Sequence, residues 1–75
     1  MSDISETKLL KAFGKRVAEI RRARGLTQEQ LAEKADVTPL SIAFIEQGRR
    51  WPRIATLYKL ARCLDISPSE FLKGL

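Results

Sequence analysis

Three residues, Asp36, Val37 and Thr38, separate two stretches that each carry helix-start chemistry, and so short a link fixes how the two stretches meet. The first stretch opens Thr27-Gln28-Glu29-Gln30. A hydroxyl at Thr27 and an amide at Gln30 form a capping box, in which each side chain satisfies an orphan backbone donor at the start of a helical turn. A helix is therefore expected to start at Gln28. Thr38-Pro39 repeats the signal, because a hydroxyl suits the N-cap and a proline, with no N–H to lose, suits the first helical position. The second helix is expected to run to Gln47, with Gly48 ending it in the left-handed conformation that glycine tolerates.

Three residues are too few for a flexible link and enough for a sharp corner. Leu31, Ala32 and Ala35 on the first helix are spaced to face Val37, Ile42 and Ile45, and the small Ala32 lets the two backbones approach closely. This is the geometry required of a helix-turn-helix, whose second helix must project rigidly enough to enter the major groove of DNA.

The run from Arg21 to Leu64, more than half of the chain, resembles the phage repressor and Cro-like (xenobiotic-response-element type) helix-turn-helix family. The likeness is carried by Gly25-Leu26-Thr27-Gln28-Glu29-Gln30-Leu31-Ala32, Ile42, Ile45-Glu46-Gln47-Gly48, Pro52 and Leu57. Two positions depart from it. Asp36 stands where the family usually has glycine in the turn, at small cost because aspartate tolerates a left-handed backbone, and Ala43 stands where the family often has serine. The resemblance implies a compact five-helix, lambda-repressor-like DNA-binding domain with the helix-turn-helix at helices 2 and 3. It also implies an ion pair between Arg21 and Glu46 that fastens the first helix to the end of the recognition helix. Glu46 adjoins Ile42 and Ile45 on the inward face, where an unpaired charge would be costly, so the residues themselves ask for such a partner.

Composition narrows the class independently. The periodicity is helical almost throughout and no run alternates as a strand would, so the fold is expected to be all-α. Seventy-five residues provide for one domain, and a domain of that size has little stability to spare unless association adds burial. One cysteine excludes an internal disulfide. The absence of histidine leaves a zinc site without its usual ligands and acid–base catalysis without its commonest base, so no metal, no cofactor and no enzymatic activity are expected. No apolar run is long enough to span a bilayer and no signal peptide is visible, which gives a cytoplasmic expectation and no membrane partner. The net charge of +5 favours an acidic partner, and its distribution says more: from Gln47 to Leu64 stand Arg49, Arg50, Arg53, Lys59 and Arg62 with no acidic residue.

Along the chain, Met1 to Ser5 are expected to fray, although Asp3 with Glu6 offers a cap for the first helix. That helix is expected from about Ser5 to Arg24, with Leu10, Phe13, Val17 and Ile20 as its apolar stripe, Gly14 permitting close packing, and Gly25 as its terminator. Trp51 is expected to pack its loop on the core. A fourth helix is expected over Ile54 to Leu64, with Ile54, Leu57, Ala61 and Leu64 on the inner face and Tyr58 and Leu60 widening it. Ser67-Pro68-Ser69-Glu70 reads as a further capping box, opening a short fifth helix that carries Phe71, Leu72 and Leu75.

With Ile42, Ile45 and Glu46 inward, the second helix of the motif turns Leu40, Phe44 and Gln47 outward, flanked by Pro39, Ser41 and Ala43. In the resembled family the matching positions often carry glutamine, arginine or asparagine. Here they offer almost only hydrocarbon, and three readings stay open. Phe44 folds back over Val37 or a neighbouring loop; or Leu40, Ala43 and Phe44 meet thymine C5-methyl groups, with Pro39 and Gln47 completing base readout; or Leu40 and Phe44 anchor a protein partner. Phosphate contacts are expected from Thr27 and Gln28 at a helix N-terminus, Thr38 and Ser41 at the next, and Arg49, Arg50 and Arg53 in the loop that follows. The resemblance implies the same for Gln28, and Thr27 is already explained as a cap.

The last helix has more apolar surface than its length can bury. Leu60, Cys63, Phe71, Leu72 and Leu75 are the candidate homodimer seam, as the resemblance also implies, while Cys63 doubles as a small apolar filler. These readings converge on a sequence-specific double-stranded DNA-binding transcriptional regulator, bacterial or phage-encoded, acting as a homodimer on a pseudo-palindromic operator. The alternative is a protein-interaction module on the same fold, such as an antitoxin or adaptor. A single-stranded nucleic-acid binder is disfavoured, because the five aromatics are scattered rather than clustered as a stacking platform.

Overall fold

A computed structural model describes residues 5–75. Helix α1 (Glu6–Ala23) starts where the Ser5 hydroxyl accepts the Lys8 amide at 3.2 Å. The cap expected from Asp3 lies outside the described residues. Helix α2 (Gln28–Ala35) carries both halves of its capping box, Gln30 N–H to Thr27 Oγ1 at 3.0 Å and Thr27 N–H to Gln30 Oε1 at 2.9 Å. Helix α3 (Pro39–Glu46) is capped by Thr38, whose hydroxyl accepts the Ser41 amide at 3.1 Å, and helix α4 (Ile54–Cys63) follows Arg53 without a side-chain cap.

All four helices close alike. In each, a residue just past the helix end, the first in α2 and the second in α1, α3 and α4, adopts a positive φ, and its amide and the next one fold back onto two carbonyls of the last turn; the left-handed residues are Gly25, Asp36, Gly48 and Asp65. In α2 the Asp36 and Val37 amides reach Glu33 and Ala32, and the chain turns at φ 56° and ψ 47° into α3. The residue after the left-handed one is normally apolar so that it can fold back over the helix, and Leu26, Val37 and Ile66 do pack against the core in that way. After α3 that place belongs to Arg49.

A 3-10 helix, Pro68–Leu72, follows α4, so the described residues form four α-helices and one tight turn rather than five helices. The expected capping box is absent there. Ser67 Oγ accepts the Ser69 amide at 3.4 Å and pairs with the Ser69 hydroxyl at 3.0 Å, and the Glu70 carboxylate turns toward Arg16 (3.7 Å) and Lys73 (3.9 Å) instead of back to the Ser67 amide. Arg16 Nε also donates to the Glu70 carbonyl at 3.0 Å, an acceptor that a lengthening helix would need.

Phe13, Val17, Leu31, Ile42, Leu60, Leu64 and Phe71 form the fully buried centre, where α1 packs on α3 and the 3-10 helix while α2 packs on α3 and α4. Phe13 ties the two ends of the chain together, lying 5.0 Å from the Trp51 ring and 6.0 Å from that of Phe71. Gly14 is fully enclosed. A Cβ there would collide with the Ile45 carbonyl and lie 2.8 Å from the Glu46 oxygen, so α1 and α3 cross at backbone contact. The inner face expected for α4 needs one correction: Leu57, Leu60, Ala61 and Leu64 turn inward, but Ile54 is 70% exposed and Tyr58 60% exposed, because the first turns of α4 run past the neighbours that would cover them.

Candidate nucleic-acid interface

The outward face of α3 is held from behind by a buried charge. Glu46 accepts from Arg21 Nε at 2.6 Å and from Arg21 Nη2 at 2.9 Å, a two-point pair whose side chains are 8% and 5% exposed for Arg21 and Glu46 respectively. Arg21 Nη1 donates to the Leu26 carbonyl at 2.7 Å. The carboxylate's hydrogen bonds raise the Arg21 pKa above its ordinary value, with burial pulling the other way, so the guanidinium remains charged at every pH at which the protein is useful. A third member is one that reading the sequence did not supply. Gln28 Nε2 donates to Glu46 Oε1 at 2.9 Å, giving Gln28 a place in the framework besides the one expected at a phosphate. Nothing in the local sequence signals it, since the amide crosses from the first turn of α2 to the last turn of α3.

On this frame the candidate readers fall into two groups. Pro39, Leu40 and Gln47 are exposed, Leu40 by 60%, while Ala43, Phe44 and Ser41 are half-buried. Phe44 is not bare. The guanidinium carbons of Arg49 and Arg50 each lie 5.3 Å from the centre of its ring. Such a contact was legible in part, because a glycine-terminated helix places Arg49 directly over Phe44 and joins Arg49 N–H to the Phe44 carbonyl, here at 2.9 Å.

The polar candidates ring the start of α3 and the loop behind it. Thr27 and Thr38 are exposed but use their hydroxyl oxygens as caps, and Thr38 Oγ1 also donates to Ser41 Oγ at 3.0 Å. Arg50 Nη2 makes a long contact of 3.5 Å with the same Ser41 oxygen. Between α3 and the start of α4 lies an open cleft of about 410 Å³, lined by Ser41, Arg50, Trp51, Arg53 and Thr56 among others. Trp51 fixes the floor of the loop by packing at a tilt against Phe13 and donating from its indole to Glu6 at 3.3 Å.

The expected dimer seam needs a second correction. Leu60 and Phe71 are 0% exposed and belong to the core of one chain, so they have no surface left for a partner. Leu72 and Leu75 are exposed and Cys63 is half-buried. Among the described residues no helix is long and apolar enough to cross a membrane.

Residues 17–71, which include α2, the corner, α3, the arginine loop and α4, match the helix-turn-helix family of Cro/C1 type. The chain belongs to that family. It is a family of DNA-binding transcriptional regulators, not of enzymes. Within the family, the chain is 45% identical over 60 residues to the HTH-type transcriptional regulator PuuR of Escherichia coli (strain K12), covering 80% of this chain and 32% of PuuR. It therefore spans about a third of that relative's length. The uncharacterized HTH-type transcriptional regulator y4dJ of Sinorhizobium fredii is 37% identical over 62 residues, covering 83% of this chain and 80% of y4dJ. Among solved structures, the restriction-modification controller protein C.AhdI of Aeromonas hydrophila superposes with a TM-score of 0.81 at 39% identity, covering 83% of this chain and 94% of C.AhdI.

Proposed function

We propose that this Cro/C1-type chain is a sequence-specific double-stranded DNA-binding transcriptional regulator that acts as a homodimer on a pseudo-palindromic operator. The observation that carries the proposal is the α3 face itself: a projecting helix with Leu40 and Gln47 exposed, locked by the Arg21–Glu46–Gln28 network, followed by three exposed arginines and no acidic residue up to Leu64. In this reading α3 enters the major groove, where Leu40 and Ala43 meet thymine methyl groups, Gln47 hydrogen-bonds a base edge and Pro39 packs on the groove wall. The backbone amides at the start of α2 with Gln28, the Thr38–Ser41 hydroxyls, and Arg49, Arg50 and Arg53 hold phosphates. Occupancy of a promoter is the mechanism.

The two-fold partner is proposed to meet the chain through Leu72 and Leu75, with Cys63 at the edge; to read two successive turns of the duplex, such a dimer would set its recognition helices about 34 Å apart. Selection of bound duplexes from a random library at physiological salt tests the whole reading. The expected product is a two-fold symmetric site with thymines opposite α3. Recovery of unenriched DNA would reject sequence-specific readout and leave the exposed Leu40 side chain for a protein partner, as in an antitoxin or adaptor.

A further inference from the structure

We infer that Phe44 is a positioning residue: its ring holds Arg49 and Arg50 ready for DNA phosphates and does not itself read a base. This rests on the DNA-binding reading above and adds a role that the fold leaves unassigned. Three features carry it. First, the closure of α3 has an amide–carbonyl bond of 2.9 Å from Arg49 to Phe44, so the Cα of Arg49 is fixed one turn above the ring. The apolar contact that usually seals such a closure is replaced by a guanidinium over an aromatic face, as the 5.3 Å separation describes. Second, Arg50 takes the same ring at the same 5.3 Å and reaches Ser41 as well, so both loop arginines are drawn back toward α3 rather than left to sweep solvent. Third, the ring's capacity is already used. One turn earlier Leu40 presents free hydrocarbon, 60% exposed, whereas Phe44 is half-buried with two cations against it.

The chemistry names the ligand. Two guanidiniums that share one ring are at most twice 5.3 Å apart, within or near a Debye length at physiological salt, so they repel each other in the free protein. An anion placed between or beside them relieves that repulsion, and a phosphodiester flanking the groove that α3 enters is the anion on hand. Freezing a long arginine side chain costs free energy at the moment of binding. Held on Phe44, both arginines incur most of that cost during folding, and association is tighter for it.

The test compares Phe44→Leu, which removes the ring but keeps an apolar side chain, with Phe44→Tyr, which keeps the ring, both in the full chain. Phe44→Leu is expected to weaken binding about tenfold on the selected operator and on random duplex alike, without changing the preferred bases, while Phe44→Tyr binds as the parent does. With Arg49→Ala and Arg50→Ala already in place, Phe44→Leu is expected to weaken low-salt binding no further. In the free protein, the side-chain proton resonances of Arg49 and Arg50 should carry ring-current shifts that Phe44→Leu abolishes. A changed base preference at one operator position with intact affinity for random duplex would make Phe44 a reader and overturn the inference, as would a tenfold loss that persists in the double-alanine background. A parent chain that binds no duplex removes the DNA-binding reading and the platform's use with it. Unshifted arginine resonances in a parent chain that does bind DNA remove the platform alone.

Discussion

Glu46 is the residue on which the recognition surface depends without belonging to it. Its carboxylate receives two hydrogen bonds from Arg21 and one from Gln28, tying the end of α3 to α1 and to the start of α2 while almost wholly out of water. Removing one member of such a pair leaves the other charge stranded, so Arg21→Ala and Glu46→Ala should each cost about 3 kcal/mol of stability. The double substitution should cost well below the sum, since it strands neither charge. Chemical denaturation of the four members of the cycle measures this, and additive single effects would refute the coupling. Glu46's need for a partner could be anticipated from a charge on an apolar helix face, and the choice of Arg21 from the family resemblance. Gln28 could not, because an amide at a helix start has backbone, solvent and ligand all within reach, and only the placement of α3 selects Glu46. Phe44 lies between these cases: its outward phase was legible, yet the wheel is blind to what the following loop folds back over it.

At the level of elements, the chain was legible wherever the determining chemistry is local. Thr27 with Gln30, and Thr38 with Pro39, start their helices within a few residues of themselves, and each start is found where that chemistry puts it. The corner between α2 and α3 obeys the same rule with one imperfection, since Asp36 carries a side chain into a left-handed backbone at φ 56°. Asp36→Gly is therefore expected to raise stability by about 0.5–1 kcal/mol, once glycine's extra freedom in the unfolded chain is allowed for. For a chain of this size that corresponds to a rise in Tm of about 2–8 °C by thermal denaturation. A fall in Tm would mean that the Asp36 carboxylate makes a contribution greater than the strain it tolerates. Local reading failed where a distant residue intervenes. The closing segment has the letters of a capped helix, but Arg16, 54 positions upstream, engages both the backbone and the side chain of Glu70, and the turn tightens to 3-10. Ile54 failed for a related reason, because a helical wheel gives the direction a residue faces and not how far the neighbouring helices extend to meet it.

For the whole molecule, the unresolved quantity is apolar surface. After Leu60 and Phe71 are sealed into the core, Leu72 and Leu75 remain exposed at the end of the chain and Ile54 with Tyr58 at the start of α4. A two-fold partner would cover such surface while setting two α3 helices at the pitch of the duplex. The proposed dimer uses the C-terminal set. On that basis Leu72→Glu should raise the dimer dissociation constant at least tenfold, since it buries a charge at the seam, and should leave the thermal transition of the monomer within about 0.5 kcal/mol of the parent because the side chain is outside the core. Sedimentation equilibrium of the free protein reads the first effect. Binding to a full and a half operator reads the consequence: the parent should fill the full site in one cooperative step, and the Leu72→Glu chain should fill the two halves independently. A parent that is monomeric at concentrations where it already occupies both half-sites would overturn the dimer. If Ile54→Ser with Tyr58→Ser dissociates the dimer and Leu72→Glu does not, the seam is on the opening turns of α4 instead.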